Sequence, residues 1–206
     1  MNAYRCFYTP ECRPALKSSV WEQAEKGSID KYPWKSPEEA VPVTDFRVLH
    51  TPKGLSVRFD VREKNIQAIY TQPNDPVWRD SCVEFFFSPN PEDERYFSFE
   101  VNPLGSMLIG LGSGLLDIQY LNTDREIFSI EASLHEKEDF WQAAFHIPYT
   151  FTDSYYKPIS QRFNGNFMKC ADDSITPHHG SWSLIETTSP MFHVPSFFSV
   201  ITLEAP

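Results

Sequence analysis

From about residue 44 onward the chain alternates apolar and polar positions with a period of two, the signature of strands with one buried face. In "FRVLHTPKGLSVRFDVRE", residues 46–63, Leu55, Val57, Phe59 and Val61 share one face, while Ser56, Arg58 and Asp60 share the other. Pro52-Lys53-Gly54 breaks the run, so the segment predicts a hairpin with one wet face. "SCVEFFFS" and "RYFSFEVN" flank the polar loop "PNPEDE", and "IFSIEASL" and "WQAAFHIP" flank "HEKED", which predicts two more hairpins. "FFSVITLE" alternates again, and "NFMKCAD" predicts a short strand. Helix signals are few. Val20, Trp21 and Ala24 stand at helical spacing behind Ser18 or Ser19 as a cap, and "IPYTFTDSYY" suits a short helical crossover. Roughly eight to ten strands with one or two short helices predict an all-β fold, a two-sheet antiparallel β-sandwich of jelly-roll or immunoglobulin-like type.

Composition narrows the partners. A chain of 206 residues with no repeat or low-complexity break is expected to form a single domain, 1–206. The formal charge of −10 excludes a phosphate-tracking surface, so no nucleic acid is expected. No apolar run is long enough to span a bilayer, so no membrane is expected either. The first residues lack the basic and apolar regions of an export signal. The expected compartment is therefore cytoplasmic, or extracellular if such a signal has been removed. Cys6, Cys12, Cys82 and Cys170 are too scattered for a disulfide framework and are expected as free thiols. Oligomeric state is not legible.

Candidate chemistry emerges from strand parity. In the second hairpin Val83, Phe85 and Phe87 point one way with Phe97, Phe99 and Val101, which builds a core layer. The opposite face carries Cys82, Glu84 and Phe86 from one strand and Tyr96, Ser98, Glu100 and Asn102 from the other. Two carboxyls and an amide on one face suit either a solvated surface or a floor that hydrogen-bonds vicinal hydroxyls. Trp78, just before the strand, suits either packing or a flat platform for a sugar ring.

The stretch "NDPVWRDSCVEFFFSPN" resembles the motif of family 9 carbohydrate-binding modules, a Trp followed by an Asp-Ser-x-Val-Glu strand. "YFSFEVNPLG" is similar to the family's next strand, and "PMFHVPSFFSVITLE" resembles its closing segment. The resemblance runs from about residue 44 to the end. It implies a β-sandwich in which a mono- or oligosaccharide lies between two aromatic rings, without catalysis. By position it implies Trp78 and Phe192 as the rings, Glu84 and Asn102 as hydrogen-bonding residues, and Glu100 and Lys169 where the family carries a basic residue and a glutamine. Lys169 is expected to contact the ligand, to neutralise Glu84 or Glu100, or both. Phe192 is expected either beside the ligand or in the core.

Three rivals carry named residues. Glu84 and Glu100 could form a glycoside hydrolase pair, although adjacent strands offer nothing to hold them in opposite protonation states. Met107, Met168, Met191, Lys169 and the histidines could ligate haem, which some relatives in the wider superfamily bind. A plain interaction domain would fill the slot with a protein loop. His178, His179 and His193 lack a regular metal spacing, and no EF-hand loop occurs. No cofactor is expected; structural calcium stays open, and no metal ligands are assigned.

Overall fold

The computed structural model describes residues 2–36, 38–122, 124–156 and 158–206. The three hairpins form where the alternation places them. Strands β3 (Val43–Thr51) and β4 (Gly54–Arg62) pair antiparallel around Pro52-Lys53, with Leu55, Val57, Phe59 and Val61 all fully buried. Asp60 on the outer face accepts hydrogen bonds from Arg47 and Arg58. Strands β5 (Cys82–Ser88) and β6 (Tyr96–Val101) form the second pair, in the register Glu84 to Glu100. Strands β9 (Glu131–His135) and β10 (Phe140–Pro148) form the third.

These hairpins belong to two layers. One carries β7 (Met107–Gly112), β6, β5, β11 (Arg162–Cys170), β13 (Ser199–Leu203) and β1 (Ala3–Tyr8) in that order. Short strands β8 (Gln119–Tyr120) and β12 (His179–Ser181) add to β7 and β11. The other layer runs β1, β3, β4, β10, β9, with β2 (Gly27–Ile29) on β3. Between them lies an aromatic core. Phe85 stacks on Phe167 at 4.5 Å, and Phe167 stacks in turn on Phe46 of the facing layer. Each such ring is worth roughly 1.5–3 kcal/mol in removal from water, so this layer holds the sheets face to face.

The architecture is the expected sandwich with short helical pieces: α1 (Arg125–Phe128), α2 (Tyr149–Thr152) and isolated 3-10 turns. Several details differ from the sequence pattern. Thirteen strands occur among the described residues, more than the pattern predicts. The segment capped by Ser18 is one 3-10 turn, Ser19–Gln23, because the spacing holds for a single turn before Gly27 begins β2. Residues 127–134 divide between α1 and β9 at Ser129, which adopts φ 47°. The predicted short strand around 166–172 is the end of a nine-residue β11. β1 is parallel to both of its neighbours, an exception to the antiparallel pattern. Among the described residues no helix is long and apolar enough to cross a membrane.

Candidate functional site

The outer face of β5, β6 and β11 is not a wet surface. A second hydrophobic cluster, including Phe86, Tyr96, Met168, Ile185, Phe192 and Phe198, covers it. The segments holding that cover leave a cleft of about 500 Å³, within the range of small-molecule sites. The Trp-Asp-Ser-x-Val-Glu stretch builds one side of it. Buried Asp80 accepts hydrogen bonds at Oδ2 from the backbone of Ile69 and Tyr70 and from Asn102 Nδ2, at 2.9, 3.0 and 2.9 Å. The Ser81 hydroxyl accepts from Gln67 N at 3.1 Å. These bonds pin residues 67–81 to the sheet and set Trp78, on the 3-10 turn Val77–Arg79, half-buried over the cleft. The Trp78 carbonyl also accepts from Asp172 N, which ties the turn to the chain after β11. Val83 then enters the core and Glu84 the cleft, as period two requires.

The floor is two carboxyls. Glu84 and Glu100 stand directly opposite each other on β5 and β6, 2% and 4% exposed. Glu84 Oε1 accepts a hydrogen bond from Cys170 Sγ at 2.9 Å. Burial pushes the Glu84 carboxyl well above the usual carboxylate range, and Cys170 and Glu100 push the same way. Burial likewise lifts Glu100 to about 8; the Ser98 hydroxyl opposes the shift and Asp172 adds to it. Like charges directly opposite repel, so the pair holds a proton at neutral pH. Cys82 pairs with Cys170 across β5 and β11, and burial raises both thiols, Cys82 to about 12. Cys82, Glu84 and Cys170 place one sulfur or oxygen donor each within 4.8 Å of one another. They could hold a thiophilic ion once both thiols lost their protons, which their raised pKa opposes.

Phe192 belongs to the outer hydrophobic cluster and also lines the cleft. It is 8% exposed, packs on Trp34 and His179, and still lines the cleft with Trp78. Tyr120 and Leu115, both exposed, complete the rim. His193 Nδ1 shares a hydrogen bond with the Tyr96 hydroxyl, 2.7 Å away, and burial lowers the His193 pKa to about 4. His179 Nε2 lies 2.8 Å from Asp172 Oδ1 at the rim.

Two expected site residues lie elsewhere. Lys169 is opposite Val83 in the β5–β11 register, so its side chain enters the space between the sheets. There its Nζ lies 2.8 Å from Glu63 Oε2 and 2.9 Å from His178 Nε2, at no exposure. It neither meets a ligand in the cleft nor neutralises Glu84 or Glu100. Burial raises the Glu63 carboxyl, but the Lys169 charge and hydrogen bonds from His178, Lys169 and Ser81 outweigh it and hold the group at about 2. Asn102 has the right parity, yet its amide is occupied. Nδ2 donates to Tyr70 O and Asp80, and Oδ1 accepts from Leu104 N and Ser106 N. Asn102 shapes the β6–β7 turn, in which Gly105 adopts φ 73° and supplies the left-handed residue that other side chains resist.

The cleft also gathers Met191, His179 and His193, which the sequence names only as haem or metal candidates, together with Cys170 and Asp172, which it does not single out for a site. Cys170 had a signal: it shares parity with Met168, opposite to Phe167 and Lys169. Of the thioethers proposed for haem, Met107 lies between the sheets and Met168 in the outer cluster, while Met191 lines the cleft.

The chain is similar to known proteins in sequence and in fold. The sequence model of carbohydrate-binding family 9 matches residues 17–203. Among solved structures, a candidate carbohydrate-binding protein from Bacteroides uniformis is similar over 98% of this chain and 99% of its own, with 28% identity and a TM-score of 0.81. A family 9 carbohydrate-binding module from Caldicellulosiruptor kristjanssonii, solved in complex with cellotriose, is 15% identical over 100% of this chain and 95% of its own, with a TM-score of 0.68. The glucose complex from the same organism gives 14% identity, 100% and 97% coverage and the same score of 0.68. No match is found among the curated proteins.

Proposed function

The chain belongs to carbohydrate-binding family 9, and from that premise we propose that it binds a mono- or oligosaccharide without catalysis, in the cleft between Trp78 and Phe192. The observation that carries this reading is an aromatic-walled cleft of about 500 Å³ with two buried carboxyls, Glu84 and Glu100, on its floor. Ring faces pack on the C–H face of a pyranose, and carboxyls that can accept or, when protonated, donate match its hydroxyls. The C. kristjanssonii structures with cellotriose and glucose lend support at the level of the fold. Burial raises both carboxyls, so neither is held ionised beside a protonated partner as a hydrolase pair requires, which favours binding over hydrolysis.

Calorimetry against neutral hexoses, amino sugars and cello-oligosaccharides tests the reading. At least one sugar is expected to bind with a micromolar to millimolar Kd, on the order of 4–8 kcal/mol. Trp78→Ala is expected to weaken it more than tenfold. The reading fails if no sugar binds, or if Trp78→Ala binds like the parent.

A further inference from the structure

The floor of the cleft has an excess of acid with no counter-charge. Among the described residues no lysine or arginine lines it. Lys169 is on the far side of the sheet with Glu63, and Arg79 lies 3.8 Å from Asp173 and outside the lining. Glu100 is 4% exposed, opens into the cleft, and accepts no hydrogen bond from any described residue. The Ser98 hydroxyl, which has no other partner, is the protein group beside it. A carboxyl that opens into the cleft from so buried a position gains more from a ligand donor than one in open solvent.

The other titratable groups facing the pair offer no neutralising charge. The Cys82 and Cys170 thiols stay protonated through burial, the Tyr96 hydroxyl is likewise raised, and His193 is neutral near pH 7. His179 is engaged with Asp172, a third acid at the rim. Above the carboxyls stand Trp78, Tyr120 and Phe192, and aromatic faces attract cations as well as C–H groups.

Resting on the saccharide reading, we infer that the cleft selects an amino sugar or an oligomer of one over neutral sugars, with the sugar's ammonium group seated on Glu84 and Glu100. The ammonium supplies the positive charge that the lining lacks. Because the empty pair holds a proton near neutrality, seating the ammonium expels it. Amino-sugar affinity should therefore rise with pH from about 5.5 to 7, below the range of about 7.7–8.0 in which such an amine loses its own proton, while a neutral sugar responds weakly.

Glucosamine, glucose and N-acetylglucosamine are to be titrated calorimetrically at about pH 5.5, 6.2 and 7, where the amine keeps its proton, in two buffers of different ionisation enthalpy. The expected result at pH 7 is glucosamine binding at least tenfold tighter than either neutral sugar, with net proton release. In Glu100→Gln the tenfold preference and the proton release should both shrink. Glucose binding as tightly as glucosamine would overturn the inference and leave the saccharide reading standing. A preference without proton release, or one that Glu100→Gln leaves unchanged, would overturn the carboxyl seat. If neither these sugars nor the wider panel bind, the saccharide reading itself fails.

Discussion

Lys169 shows how one residue's direction decides what a site can recognise. It lies two residues after Phe167, so period two sends its ammonium inward to Glu63, and the sugar-facing floor is left acidic. Removing one partner of a buried pair strands the other, at a cost of about 3–5 kcal/mol. Lys169→Met is therefore expected to lose about that much stability in urea unfolding, and adding Glu63→Gln should restore part of it. Sugar affinity in folded Lys169→Met should stay within about twofold of the parent, because the side chain is outside the cleft; a large loss would place it back in recognition. The inward direction was legible from Phe163 and Phe167 on the same strand. It was obscured by the general rule that lysines face water. The partner was not legible at all, since Glu63 and Lys169 meet only once the two sheets pack. Asn102 follows the same logic: parity gives its face, but only the folded β6–β7 turn shows that its amide is already taken.

At the scale of elements, the β5–β6 hairpin is the most legible part of the chain, because strict alternation separated Phe85 and Phe99 from Glu84 and Glu100. What alternation does not register is the cover on the outer face, supplied by residues far along the chain such as Ile185, Phe192 and Phe198. That cover converts two surface acids into a buried pair and gives the hairpin a pH signature. Glu100 has a folded pKa raised to about 8, so its contribution to stability is full below the unfolded value and is lost as pH rises through 8. The depressed histidines work the opposite way, because His146 and His193, both near 4 when folded, contribute stability above the unfolded histidine value that is lost as pH falls toward 4. The carboxyl pair thus dominates between about pH 6.5 and 8, where unfolding free energy should fall as pH rises, by at most about 1.4 kcal/mol per unit for one proton. Glu100→Gln should flatten that slope in denaturant titrations at pH 6.5, 7.2 and 8. An unchanged slope in the variant would show that Glu100 titrates normally.

For the molecule as a whole, the joint between the two sheets is β1. Residues 3–6 pair in parallel with residues 200–203 of β13, and Phe7 and Tyr8 continue onto Leu49 and His50 of β3. The six-residue "AYRCFY" is too short to announce itself by period, and its parallel pairing depends on strands that the chain supplies much later. Yet its inward residues are central to the core. Tyr4 is 1% exposed, packs against Phe46 and Phe167 from opposite sheets, and its hydroxyl accepts from Val48 N at 2.8 Å. Truncating such an aromatic costs about 3–5 kcal/mol through lost burial and the cavity left behind, and Tyr4→Ala also strands the Val48 donor. Arg5, on the same strand but exposed, paired with Glu25 and lying over the Phe7 ring, should change stability by no more than about 0.5–1 kcal/mol when replaced by alanine. Urea unfolding followed by tryptophan fluorescence separates the two. A lower midpoint with an unchanged m-value for Tyr4→Ala, beside a parent-like Arg5→Ala, marks β1 as part of one cooperative core. If Tyr4→Ala instead unfolded like the parent, the sheets would be held together without the strand that links them, and the packing of Phe46 on Phe167 would have to bear that role alone.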